Sequence, residues 1–240
     1  MNDQQETVPS QVVDKLFDSS VNMQNREKVL EVRRLLIQLT QAGVPESVCV
    51  ENPASISRVV RQEPWAMCDI PGGDVISFIH SGKWASEGYR VLIEGGDERT
   101  RRRVMYYCLY RGIIVRLASF SSIARVYDWP TVLPIIGDFR NPRRLLTFEG
   151  MQTTKILAIT EIDIAVPMSL GGADSMLTSI LRGRLQSNRP TIITLTRPYG
   201  DKNNDRPRPG EIYSLVNTKH DIKENMVVRI GIEGDKSNEA

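Results

Sequence analysis

In the stretch Tyr89-Arg90-Val91-Leu92-Ile93-Glu94-Gly95-Gly96-Asp97-Glu98-Arg99-Thr100-Arg101-Arg102, an apolar run stops at two glycines and gives way to charge. Tyr89 to Glu94 reads as a buried strand and Gly95-Gly96 as the turn that ends it. Val104, Met105, Cys108 and Leu109 then fall at helical spacing. A strand that passes through a glycine turn into a helix brings backbone N–H groups and the positive end of the helix dipole to one point, a setting that suits phosphate.

A working phosphate loop follows the pattern GxxxxGK[ST]. Its second glycine permits the tight turn, its lysine reaches the terminal phosphates, and its hydroxyl enters the magnesium shell. Gly95 matches the first glycine, but Thr100, Arg101 and Arg102 stand where the second glycine, the lysine and the hydroxyl belong. Asp97 and Glu98 add two negative charges where phosphate oxygens would lie. The frame of a phosphate site is predicted here without its ligands.

Outward from this point, Gly112 is expected to end the helix and Ile113-Ile114-Val115-Arg116-Leu117 to form a second strand. Lys155 to Ile159 reads as a third strand, Ser175 to Leu185 as a helix with Met176, Ile180 and Leu181 on one face, and Pro190 to Leu195 as a fourth strand. Strands alternating with helices predict an α/β fold with a mostly parallel sheet sandwiched by helices. The second half of a phosphate site is a strand ending hhhhD[DE], with an aspartate for the metal shell and an acid to polarise the attacking water. Ile156-Leu157-Ala158-Ile159-Thr160-Glu161 puts Thr160 in the aspartate position and keeps Glu161 as the acid.

Towards the N-terminus, Met1 to Ser10 is polar and without period, which predicts a loose leader. Val12 to Ala42 carries two helical stripes, Val12, Val13, Leu16 and Phe17, then Val29, Leu30, Val32, Leu35, Leu36 and Leu39. These either pack on the main domain or form a docking module for a partner. Pro and Gly punctuate Gly43 to Ile79, which is expected to be a connector. The domain reading is a helical docking region with connector at 1–62 and a phosphate-loop-type domain at 63–240. Asp201 to Gly210 is expected to be a solvent loop, and Gly234 to Ala240 a frayed tail.

The 240 residues are 40% hydrophobic, enough for one good core with an extension. With 31 basic and 29 acidic residues the net charge is +2, so attraction to nucleic acid has to come from local clusters. Cys49, Cys68 and Cys108 are scattered and odd in number, with no secretory leader; they read as reduced, buried thiols of a cytoplasmic protein. His80 and His220 stand alone, so no metal site is expected, and no apolar run is long enough for a membrane span.

Several stretches together resemble the replicative helicase loaders of bacteria and phages, the DnaC/DnaI/IstB-like AAA+ proteins. They are Ser81-Gly82-Lys83-Trp84-Ala85-Ser86-Glu87-Gly88 with the strand and loop after it, Ala118-Ser119-Phe120-Ser121-Ser122-Ile123, the strand at Ile156, and Ser179-Ile180-Leu181-Arg182-Gly183-Arg184 through Arg189-Pro190-Thr191-Ile192-Ile193-Thr194. The resemblance covers about Gly73 to Tyr199 and is most specific in the last of these. It implies an AAA+ fold with degenerate nucleotide motifs, N-terminal helices that dock on a replicative helicase, and contact with single-stranded DNA. Family members usually follow the last strand with Ser-Asn, whose asparagine senses the γ-phosphate; this chain has Leu195-Thr196. Near the C-terminus they carry a Ser-Arg-Leu element with an arginine finger, whereas Ile212-Tyr213-Ser214-Leu215 lacks the arginine.

Arg99, Arg101, Arg102 and Arg103 form the densest basic cluster. Arginines at a helix N-terminus oppose the macrodipole and need an anion or full solvation. Phe120, Tyr127 and Trp129 interleave with Arg125, a composition that stacks bases and holds phosphates in a single-strand channel, although aromatics at such spacing are also common in cores. Arg99, Arg103, Phe120, Arg125 and Tyr127 are the nucleic-acid candidates.

The combined expectation is a partner-binding protein that does not hydrolyse ATP and needs no cofactor or metal. Its partners would be a replicative helicase or another replication or AAA+ protein, single-stranded DNA, and further copies in a homo- or hetero-oligomer. Two readings stand beside it. One is an atypical active ATPase in which Arg101 serves for the lysine and Glu161 as the acid, although a planar guanidinium needs more room than an ammonium. The other is a structural subunit of a mixed AAA+ ring or filament.

Overall fold

Val91, Leu92 and Ile93 are all fully buried, so the strand that carries them is covered on both faces, as a central parallel strand must be. The computed structural model describes residues 26–61, 74–116, 123–162, 173–196 and 227–232. In chain order these form α1 (Arg26–Gln41), α2 (Glu46–Cys49), α3 (Pro53–Ser57), β1 (Val60–Arg61), α4 (Val75–Ser81), α5 (Lys83–Ser86), β2 (Arg90–Gly95), α6 (Glu98–Arg116), β3 (Ala124–Asp128), α7 (Trp129–Gly137), α8 (Arg144–Thr153), β4 (Ile156–Thr160), α9 (Ala173–Gln186), β5 (Thr191–Leu195) and β6 (Val227–Ile232).

The strands lie in the order β1-β6-β2-β5-β4-β3. All neighbours are parallel except the β1–β6 pair, whose antiparallel register sets Val60 against Ile232. Alternation along β2 and β4 divides the core. Val91, Ile93, Ile156 and Ala158 face a cluster with Trp84, Met105, Tyr107 and Ile113. Leu92, Leu157 and Ile159 face another with Trp129, Leu133, Ile136, Leu177 and Ile180. The α/β sandwich read from the sequence is present, and the three strands beginning near residues 90, 156 and 191 lie where expected.

Of the strand expected at Ile113–Leu117, the described residues Ile113 to Arg116 are helical. Helix α6 runs through Gly112 to Arg116, because this glycine serves close packing and not termination. A Cβ there would stand 2.7 Å from the Trp84 ring and 3.2 Å from Ile156 Cδ1. The strand beside β4 is instead Ala124–Asp128, whose half-exposed outer residues hide its period. Arg144 opens α8.

The expected connector holds α2, α3, β1 and α4. Within residues 26–61, Leu39, Val48, Cys49, Ile56 and Val60 belong to the same apolar cluster as the sheet. Cys49 and Cys108 are buried free thiols; burial pushes Cys49 up to about 11. The Val12–Phe17 stripe, Cys68, the leader, the Asp201–Gly210 loop, the Ser214 region and the tail lie outside the described residues.

Candidate functional site

In an open α/β sheet, ligands bind beyond the carboxyl ends of the strands where the strand order reverses. Here the chain leaves β2 towards the β3 edge and later returns to β6 on its other side, so β2 marks that point. Gly95 and Gly96 both have left-handed φ, +81° and +60°, which turns the chain sharply into α6. The Asp97 carboxylate accepts the backbone N–H of Thr100 at 2.6 Å. That N–H is one of the free donors at the helix start that a phosphate would take. Hydrogen bonding to this N–H, more than any other influence, holds Asp97 below the usual carboxylate range.

Arg101, in the lysine position, turns back into the loop. Its Nη1 donates to the carbonyls of Gly95 at 3.2 Å and Gly96 at 2.6 Å, and its Nη2 meets Glu161 Oε1 at 3.0 Å. The two side chains are 6% and 11% exposed, so this is a buried ion pair. Glu161 itself sits at φ +53°, a conformation unfavourable for a side chain with a Cβ. Its backbone N–H donates to Thr194 Oγ1 at 2.8 Å. The ends of β2, β4 and β5 are thereby joined.

Arg102, in the position of the magnesium hydroxyl, pairs with Glu98 at 2.8 Å and with Asp128 at 3.2 Å. Thr160, in the place of the metal aspartate, donates its hydroxyl to Asp128 at 2.8 Å, and Thr131 donates to the other oxygen at 2.6 Å. Burial pushes the Asp128 carboxyl up, but the two hydroxyls and the Arg102 guanidinium outweigh it and hold it below its ordinary range. Burial likewise disfavours charge on Arg102, and Glu98, with help from Asp128, reverses this. The anions facing the arginines at the helix start are thus the chain's own carboxylates.

Asp128 and Thr194 belong to this site without standing out in the sequence. The signal for Asp128 is an acid closing a strand just before Trp129-Pro130, and for Thr194 a hydroxyl within an apolar strand. Thr196, the residue in the sensor position, is half-buried just beyond β5, two residues past the hydroxyl that meets Glu161.

The nucleic-acid candidates separate. Arg99 is exposed at the start of α6, and Arg103 is turned to Glu51. Phe120 lies outside the described residues. Arg125 and Tyr127 come together with Tyr106 and the Thr40–Gly43 turn around an open concavity of about 580 Å³. Trp129 is fully buried and offers no face to a base. Among the described residues, no group of three or more His, Cys, Asp or Glu could hold a metal ion, and no helix is long and apolar enough to cross a membrane.

At the opposite end of the sheet, Arg184 of α9 is 1% exposed and has no carboxylate within hydrogen-bond reach among the described residues. It donates to the carbonyls of Met151, Gln152, Thr154, Lys155 and Pro190 and to Thr191 Oγ1. Burial, with Arg189 and Arg116 nearby, lowers it to about 9, so the guanidinium stays charged at neutral pH.

No family model matches the chain, and no curated protein sequence does. Solved structures do. DnaI matches with 10% identity over 82% of this chain and 97% of its own, at a TM-score of 0.50. The two share a fold, a mostly parallel sheet flanked by helices. The DnaC helicase loader matches with 14% identity over 60% of this chain and 80% of its own, at a TM-score of 0.41. Domain III of the Thermotoga maritima replication initiation protein DnaA matches with 13% identity over 67% and 62%, at 0.47. At such identities the likeness is one of fold. In this fold β2 runs into the turn at Gly95-Gly96, β4 ends beside Glu161 and β5 ends beside Thr196.

Proposed function

We propose that this chain is a non-hydrolysing AAA+ protein of the helicase-loader type that acts by binding a replicative helicase or a related replication partner. The observation that carries the non-hydrolysing part is the Arg101 side chain, which fills the phosphate loop and is paired with Glu161. The donor that would meet phosphate is taken by Asp97, the lysine position points away from any ligand, and the acid is neutralised. These residues do not fit a nucleoside triphosphate. The loader part is supported by the sequence resemblance around Arg184 and Arg189-Pro190-Thr191, whose arginines hold the start of β4 and β5.

A pseudo-ATPase of this kind has no hydrolysis step to drive release, so switching rests on different affinities for different partner states. Titration calorimetry with ATP and a phosphate-release assay test the first part. No binding at millimolar nucleotide is expected, and tight binding with steady phosphate release would sink it. Co-elution with the host's replicative helicase tests the second part. Single-stranded DNA contact is a second reading, favoured by the concavity that unites Arg125, Tyr127 and Tyr106; an oligonucleotide titration of Arg125→Ala checks it.

A further inference from the structure

From the loop after α7 into the first turn of α8 the chain presents Phe139-Arg140-Asn141-Pro142-Arg143-Arg144-Leu145-Leu146. Phe139, Leu145 and Leu146 are 75%, 66% and 71% exposed, more than any other large apolar side chain among the described residues. Isolated exposed leucines are ordinary, but three such residues in one short segment mark a surface that is covered in use. Arg140 and Arg143 are exposed beside them, and neither has a carboxylate within ion-pair distance among the described residues.

The segment is held in shape. Asp138 accepts the N–H of Arg140 and Asn141 that of Arg143, both at 2.9 Å. Arg144 donates to the Ile136 carbonyl at 3.0 Å while its guanidinium carbon lies 4.1 Å from the centre of the Phe139 ring. A surface ordered in advance loses little freedom when a partner covers it.

Its chemistry is apolar with arginine and without lysine, the composition of protein interfaces. Nucleic acid would satisfy the arginines but leave two aliphatic side chains in water. Guanidinium groups take carboxylates in two-pronged fashion. We propose that Phe139–Leu146 is a docking surface for an acidic amphipathic helix of a partner protein, with apolar side chains over Phe139, Leu145 and Leu146 and carboxylates on Arg140 and Arg143. This holds whether or not the chain is a loader, because the surface is separate from the phosphate-loop frame.

The probe is a fluorescent synthetic helix of about 18 residues with leucines at i, i+3, i+4 and i+7 and flanking glutamates, titrated with the full chain. Saturable binding is expected, weakened about tenfold or more by Leu145→Ser/Leu146→Ser and by Arg140→Glu/Arg143→Glu. The same helix with lysine for glutamate is expected to bind only the Arg140→Glu/Arg143→Glu variant. Circular dichroism checks that these exposed substitutions leave the fold intact. Absent binding, equal binding by the lysine helix, or unchanged affinity in the variants overturns the proposal. So does a preference of the same surface for a single-stranded oligonucleotide, for phosphatidylserine vesicles, or for a second copy in sedimentation.

Discussion

Arg101 holds Glu161 at 3.0 Å across the ends of β2 and β4, two strands that β5 separates in the sheet. Breaking a buried ion pair by removing one partner strands the other charge, which costs about 3–5 kcal/mol. Arg101→Ala is therefore expected to lower stability by that amount in urea unfolding. The Arg101→Leu/Glu161→Leu double variant should recover most of it. A loss below about 1 kcal/mol in the single variant would mean that water reaches the pair.

Nucleotide binding should be recoverable. Thr100→Gly, Arg101→Lys and Arg102→Thr together restore GxxxxGK[ST] after Gly95. This triple variant is expected to bind ATP measurably in calorimetry where the parent does not. Adding Asp97→Ser should tighten binding further by removing the carboxylate that takes the backbone N–H of position 100. If the triple variant binds no better than the parent, the frame itself is unsuited to phosphate.

Gly112→Ala separates helix propensity from packing. Alanine favours a helix over glycine by about 0.8–1.0 kcal/mol. Its methyl group would stand 2.7 Å from Trp84, and overpacking of this kind costs about 1–3 kcal/mol. The packing effect is expected to win, giving a lower melting temperature; a stabilised variant would contradict the close approach.

Arg184→Met removes the buried donor that serves the Thr154 and Lys155 carbonyls at the start of β4 and leaves Pro190, before β5, with the N–H of Leu157 alone. At about 1–3 kcal/mol per stranded polar group, the loss is expected to be among the largest of any single change here. Hydrogen exchange should rise around Thr154 and Thr191. Arg184→Lys should rescue only part, since an ammonium cannot span both strands.

Acid should loosen the loop in a defined direction. Asp97 and Asp128 both have folded-state pKa values below their unfolded ones. Their contribution is complete above the unfolded value of about 3.9 and is lost as pH falls through the lower folded values. Stability measured from about pH 5 downwards should decline through that window, and less steeply in Asp128→Asn.

The sheet was legible in the sequence where strands are buried on both faces, as at Val91-Leu92-Ile93 and Ile156–Ile159, because there the apolar run is continuous. It was not legible at β3, where the exposed Arg125 and half-buried Val126, Tyr127 and Asp128 leave no clear alternation. Gly112 misled because a packing glycine and a terminating glycine look alike in one sequence. In the site, the substitutions at Thr100, Arg101, Arg102 and Thr160 could be read directly. Their partners Glu161 and Asp128 could not be paired with them, nor Thr194 with Glu161, since each contact joins residues far apart in the chain.

Arg184 and Arg101 sit at opposite ends of the same sheet. One draws together the entries of β4 and β5; the other, through Glu161, fastens their exits to β2. Pinned at both rims, β4 and β5 resist sliding against each other, and β2 is carried with them at the exit end.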